Sequence, residues 1–342
     1  MREENARHQE GIPSRRVRCE GMFGPIIIAH RGASGHRPEH TLAAYALAAD
    51  LGADFLEPDL VPTRDGVLIA RHENEISETT DVADRAELRD RYTTKTIDGR
   101  TVQGWFTEDL TLAEIKTLRA RERLVSRDHS FDGRFEVPTF DEILALARAK
   151  SRETGRTLGV YPESKHPSYF RALGLALEER MVASLHACGY AGRRAPVFLQ
   201  SFETANLRLL RRLTDLPLIQ LLDESGRPWD LEAAGDPGTF RDLAAPAGLA
   251  EIAGYADGIG PAKGLIVSGP GAASTLVADA HRAGLLVHPW TFRSDPPFLA
   301  AAYAGAPEKE YEQFFALGVD GVFSDFPGDA ARAREAWRAK RT

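Results

Sequence analysis

An α/β fold, specifically a TIM-type (β/α)8 barrel with an insertion on the active-site rim, is predicted by three observations. Short strand-like runs alternate with longer helix-like ones along most of the chain. The 342 residues suit one barrel of about 250 residues with insertions and terminal extensions. Ionisable side chains stand where apolar runs stop, as in IIIAHRGASGHRPEHT at 26–41, and barrels do their chemistry at strand ends.

The expected strands are 26–29, 54–60, 67–71, 157–162, 196–200, 217–222, 257–260, 285–289 and 319–323. These are nine candidates for eight staves, and the turn TRDG at 63–66 is too short for a crossover helix, so the pair around it departs from β/α alternation. Helical patterns cover 41–51, 139–150, 168–188, 203–213, 272–283 and 308–317, with Thr41 and Thr139 as candidate caps. The charged, Thr- and Gly-rich stretch 74–138 interrupts the rhythm and holds one further candidate helix at 107–120. The Gly and Pro of 225–239 and 245–262 read as loop punctuation. The expected organisation is an N-terminal extension 1–24, one barrel over 25–330 that includes the insertion, and a C-terminal extension 331–342.

With 43% apolar and 27% charged residues, the composition is that of an ordinary soluble globular chain. A formal charge of −7 gives no support to nucleic-acid binding, which needs Lys and Arg concentrated on one surface. Cys19 and Cys188 lie too far apart for a compact metal motif and are expected to be unconnected thiols. The first 24 residues are mostly polar and lack the apolar stretch of a secretory signal. The expectation is therefore a cytoplasmic protein without stable membrane insertion, or a periplasmic or secreted one if the native N-terminus differs. Nothing in the sequence singles out a protein partner.

Glu57 and Asp59 are two apart in a strand-like run, so both project to one side. Carboxylates this close repel unless protonated, separated or neutralised by a cation. Glu163, in GVYPESK, adds a third oxygen donor from another strand, and the trio suits a hard divalent cation, calcium or magnesium. A hydrogen-bonding role in a loop is an equal reading for the isolated pair. Lys165 and Arg31 place positive charge where a phosphate would sit; a plain salt bridge from Lys165 to a carboxylate is the lesser reading and does not exclude that role. His30 and His72 each follow an apolar run and are the candidates for proton transfer, which makes phosphodiester hydrolysis the leading expectation. Trp290 and Phe292 share a face if 288–293 is a strand, and with Phe202 they are candidates to line the substrate space. His36 and His40 need not bind metal; His40 could start the next helix or hold the loop, and Glu39 could support His30 or Arg31.

Six separated motifs carry a family resemblance: HRGASGHRPEHT, LEPDL with TRDGVLIARHE, YPESK, LQSF, HPWTFR and GVFSDFP, in order over about 26–327. The chain resembles the glycerophosphodiester phosphodiesterases of bacteria. The resemblance implies a barrel that hydrolyses glycerophosphodiesters to glycerol 3-phosphate and an alcohol with a divalent metal. It assigns His30 and His72 to acid/base chemistry, Glu57, Asp59 and Glu163 to the metal, and Arg31 and Lys165 to phosphate; Gln200 and Trp290 border the substrate. Glu73 departs from the pattern, standing where many relatives have aspartate. The implied route has two stages, attack by the neighbouring glycerol hydroxyl to give a cyclic phosphate and then opening by water. Direct attack by metal-activated water is the alternative. A related lipid phosphodiesterase and a non-catalytic phosphate-binding barrel are the competing readings.

Overall fold

The computed structural model describes residues 24–269, 272–303 and 305–341. Its strands are β1 (Ile26–His30), β2 (Phe55–Glu57), β3 (Asp59–Pro62), β4 (Leu68–Ala70), β5 (Thr93–Ile97), β6 (Arg100–Gly104), β7 (Gly159–Val160), β8 (Glu163–Ser164), β9 (Leu199–Ser201), β10 (Leu218–Leu222), β11 (Gly258–Pro261), β12 (Leu286–Val287) and β13 (Gly321–Ser324). One sheet has the order β13-β1-β2-β7 and is parallel throughout. The other runs β12-β11-β10-β9-β8-β3-β4, parallel except for its last pair.

The sheets meet along continuous stretches of chain. Pro58 separates β2 from β3 and Pro162 separates β7 from β8, and a prolyl nitrogen has no hydrogen to give to a ladder. Backbone bonds also pass between the sheets, from Phe198 N–H to Val160 O (3.1 Å) and from Phe292 N–H to Phe323 O (2.8 Å). The ninth strand candidate is β4. Thr63 N–H bonds to Val67 O (2.9 Å) around Gly66, whose φ of 80° suits the tight reversal, so β4 returns antiparallel to β3.

Helices Leu42–Asp50, Phe140–Thr154, Thr204–Leu213, Leu276–Arg282 and Pro307–Ala316 follow the sequence pattern. Thr41 and Thr139 cap the first two by accepting from Ala44 N–H and Glu142 N–H. The expected helix 168–188 is instead two, Pro167–Ala172 and Glu178–Ala187, because Gly174 at φ 75° ends the first turn run. The expected helix 107–120 shrinks to Leu112–Ile115 after a 3-10 turn, since Arg121 N–H is drawn to Thr79 O (2.9 Å) and Thr80 bridges Ala120. Two short helices, Trp229–Ala233 and Pro246–Ile252, stand where loops are expected, and a third, Phe240–Ala244, lies between them. The boundary expected at 330 falls inside the helix Pro327–Ala339, whose Ala333 is buried and whose Arg334 pairs with Asp54. Residues 331–339 therefore pack as part of the body. Cys188 is a free thiol, and Cys19 lies outside the described residues.

Within 74–138 the antiparallel hairpin β5–β6 turns at Asp98 (φ 47°) and Gly99 (φ 73°), the two left-handed positions that a two-residue hairpin loop requires. Beneath the strand ends, Ile28, Tyr161, Phe198, Ile219 and Phe323 form an apolar cluster of their own. Tyr161 OH meets Nδ1 of the buried His288 at 2.9 Å, which satisfies the polar atoms of that floor.

Candidate active site

Strand register brings the ionisable groups together. His30 is the register partner of Glu57, Asp59 of Glu163, and Glu163 of Gln200, so neighbouring parallel strands set these side chains in one row. All nine site residues expected from sequence, His30, Arg31, Glu57, Asp59, His72, Glu163, Lys165, Gln200 and Trp290, line a single inner pocket of about 100 Å³. It opens into an outer cleft of about 820 Å³, and His72, Glu163, Lys165, Phe202 and Trp290 border both.

Carboxylate oxygens of Glu57, Asp59 and Glu163 come within 4.8 Å of one another, and all three residues are buried. Glu57 accepts from Arg31 N–H (2.8 Å) and from Gln200 Nε2 (3.1 Å). Asp59 Oδ2 accepts from His40 Nε2 (2.9 Å) and faces Arg31 Nε at 3.4 Å. Lys165 Nζ pairs with Glu163 Oε1 at 3.0 Å. Burial and the neighbouring carboxylates push Glu57 well above the carboxylate range and Glu163 up to about 8. Asp59 goes the other way: burial opposes its charge, but Lys165, His72 and His40 outweigh it and hold the group well below its ordinary value. Asp59 Oδ1 and Gln200 Oε1 are buried acceptors without a hydrogen-bond partner. Three convergent hard oxygen donors, crowded enough to hold protons and with acceptor valence to spare, fit a divalent cation.

Each candidate acid/base histidine leans on a carboxylate. His30 Nδ1 bonds to Asp325 Oδ1 at 2.6 Å, and Asp325 Oδ2 takes Arg127 Nη2 (2.5 Å) and Arg293 Nε (3.0 Å). Burial, reinforced by Arg31, lowers His30 to about 4. His72 Nδ1 lies 2.9 Å from Glu73 Oε1, and its Nε2 lies 3.3 Å from Lys165 Nζ. Burial, Arg31 and Lys165 push the His72 ring down too, but its side chain is 32% exposed, so solvent screens part of that push. Glu73 Oε2 also meets His166 Nε2 at 2.9 Å, and His166 Nδ1 meets Asp98 Oδ2 at 2.5 Å. Burial works against charge on His166, but the two carboxylates prevail and raise it to about 9.

The residues left open by sequence fall out differently. Phe202 borders the pocket and meets Trp290 edge-on at 5.7 Å, while Trp290 Nε1 donates to Gly260 O (2.7 Å). Phe292 does not line the substrate space. It is buried in the core, stacked on Tyr311 at 5.0 Å, because Ser324 bridges it into the floor of the last strand. Glu39 supports Arg31 (3.1 Å) rather than His30 and also pairs with Arg123 (3.0 Å). His40, fully buried, holds Asp59 and meets Tyr45 OH at 2.7 Å, whereas His36 packs on Phe326. Asp325, Arg127 and Arg293 were not singled out from sequence, although Asp325 sits in GVFSDFP at a strand end just as His30 does.

The sequence matches the glycerophosphoryl diester phosphodiesterase family over residues 30–329. It is 36% identical over 328 residues to a glycerophosphodiester phosphodiesterase of Arabidopsis thaliana, covering 91% of this chain and 86% of the relative. It is 30% identical over 334 residues to that of Haemophilus influenzae, covering 88% and 87%. Among solved structures, the glycerophosphodiester phosphodiesterase of Agrobacterium tumefaciens superposes with a TM-score of 0.58 at 20% identity over 90% of this chain and 99% of that one. An Oleispira antarctica phosphodiesterase, solved with its product sn-glycerol-3-phosphate, gives 0.57 at 21% over 91% and 97%. The fold is thus TIM-like α/β, and the protein is an enzyme, a phosphoric diester hydrolase. The chain belongs to the glycerophosphoryl diester phosphodiesterase family.

Proposed function

We propose that the protein hydrolyses glycerophosphodiesters to glycerol 3-phosphate and an alcohol, with a divalent cation, calcium or magnesium, held by Glu57, Asp59 and Glu163, and with protons moved by His30 and His72. The observation that carries this reading is the meeting of three carboxylates, Arg31, Lys165 and two depressed histidines in one pocket. When bound, the cation would orient phosphate oxygens and stabilise charge developing on them. Arg31, fixed by Glu39 and Asp59, and Lys165 present donors to the phosphate. His30 and His72 are depressed enough to stand neutral at pH 7, each with Nδ1 turned to its carboxylate, so that Nε2 of His30, and Nε2 of His72 once the Lys165 ammonium beside it turns to the phosphate, can accept or return a proton at the reacting oxygens. Gln200 and Trp290 border the glycerol phosphate, and the outer cleft receives the leaving alcohol.

In this reading the two sheets are arcs of one (β/α)8 barrel, joined at the Val160–Val197 and Phe292–Ser324 bridges. The catalytic unit runs from residue 25 through the helix that ends at Ala339, with 74–138 inserted on its rim. Among the described residues no helix is long and apolar enough to cross a membrane.

The test is release of glycerol 3-phosphate from glycerophosphocholine, glycerophosphoethanolamine and glycerophosphoglycerol, after chelation and again after metal is restored. Activity that disappears with the chelator and returns with the cation is expected. Folded, metal-loaded protein that cleaves none of the three would point to an acyl-bearing lipid substrate instead. In parallel, Asp59→Ala should weaken calorimetric cation binding and turnover together, and unchanged binding would remove Asp59 from the ligand set.

A further inference from the structure

Glu73 has an awkward task. It follows His72 directly in the chain, so its side chain must bend back to reach the ring, and at 49% exposure water alone would leave it several rotamers. Its second oxygen, however, is pinned by His166, which stands two residues beyond β8 in a left-handed conformation (φ 46°). The far nitrogen of the same ring meets Asp98, the first residue of the β5–β6 turn. Both ring nitrogens face carboxylate oxygens, an arrangement in which both must carry hydrogen. A glutamate, a methylene longer than aspartate, spans from His72 to His166 with its two oxygens.

We propose that His166 is a positioning residue for the phosphodiester reaction: clamped as a cation between Glu73 and Asp98, it fixes the carboxylate that orients His72 and ties the hairpin turn to catalysis. The proposal rests on the reading of His72 as a proton-transfer group. It gives the segment 74–138 a role beyond covering the rim. The turn at Asp98–Gly99 supplies the outermost carboxylate of a chain of contacts running His72, Glu73, His166, Asp98. Second-layer partners that set the orientation of a working histidine are typically worth about 10–100-fold in activity.

Steady-state kinetics on a glycerophosphodiester, with the full chain and restored metal, test the clamp. His166→Leu should lower kcat by about 10–100-fold and, with a substrate whose leaving alcohol is small, leave KM within about threefold, since the ring lines the outer cleft and not the inner pocket that takes the phosphate. His166→Gln, which keeps a side-chain N–H donor for Glu73, should recover most of the loss. Asp98→Ala, at a part-buried turn position, should lower kcat in the same direction and add little to His166→Leu, as expected for members of one chain of contacts. A readout independent of turnover is the Nδ1 proton of His72 by NMR, slow to exchange in the unaltered protein and broadened away in His166→Leu. The proposal is overturned by a folded His166→Leu with kcat within about twofold of the parent, by a loss confined to KM, or by an unchanged His72 proton signal. Should His166→Leu fail to fold, Asp98→Ala decides by the same kinetic and NMR criteria. An inactive His72→Ala beside an unaffected His166→Leu sinks the clamp alone; a fully active His72→Ala sinks the reading of His72 and the clamp with it.

Discussion

The two histidines of the pocket are held by the same device in different company. His30 bonds to a carboxylate that is almost wholly buried and is neutralised by two arginines, whose charge does not change at any pH the protein meets. His72 bonds to a half-exposed carboxylate whose counter-charge is another histidine. The first arrangement joins the ends of β1 and β13 and takes Arg127 from the insertion, while the second spans β4, β8 and the hairpin of the insertion. Rigid charge on one side and titratable charge on the other mean that, in the proposed reaction, the two proton-transfer groups are not supported symmetrically.

The largest effects come from the rings themselves. His30→Ala and His72→Ala should each lower turnover by about 10²–10⁴-fold while cation binding persists, measured by glycerol 3-phosphate release and calorimetry. A substrate with a much better leaving group would restore the variant that had lost the acid and not the one that had lost the base. Equal rescue of both would erase the comparison.

Next come the supporting carboxylates. Asp325→Ala and Glu73→Ala should both cost about 10–100-fold in turnover. Their stabilities should part. Removing Asp325 deprives His30 and Arg293 of their carboxylate and leaves the buried Arg127 side chain with Asp295 alone, a loss of about 3 kcal/mol, the low end for a broken buried pair, whereas the half-exposed Glu73 should cost about 1 kcal/mol or less. Urea unfolding of the two variants gives the answer directly, and equal losses would contradict the difference in burial.

The smallest effect is the response to pH. His166 is raised above its ordinary value, so its contacts contribute fully below about pH 6.5 and fade as pH climbs through about 9. Asp325 is depressed, so its contribution is full above about pH 3.8 and is lost as pH falls. The His72 side should therefore loosen first in alkali and the His30 side in acid. The melting-point gap between the parent and His166→Gln should shrink from about pH 6 to about pH 10, and a constant gap would show that His166 does not titrate.

Much of this site is readable in the chain because strand ends announce themselves: an apolar run stops at His30, and Glu57 and Asp59 share one face by simple alternation. What alternation does not carry is who stands opposite. Asp325 lies at the far end of the sequence from His30, and only the pairing of β1 with β13 brings them together. His40 reads as a loop or cap residue until its ring is seen against Asp59. The helices of 229–252 escape the sequence reading for another reason, since at five to seven residues each they offer too few turns for a periodic pattern, and two of them begin next to or at proline. The expected helix 107–120 fails because a long-range bridge to Thr80 outbids a local preference.

The crowding of Glu57, Asp59 and Glu163 has a thermochemical consequence. With Glu163 pushed up to about 8 and Glu57 also raised, protons compete with the proposed cation for this trio at neutral pH, and metal entry should release hydrogen ions. Titration heats should then differ between buffers of different ionisation enthalpy, with the slope counting the hydrogen ions released to solvent. Affinity should strengthen as the medium becomes more alkaline toward pH 8, while the same change begins to relax the support of His72. The working range of the enzyme would lie where those two opposing trends cross.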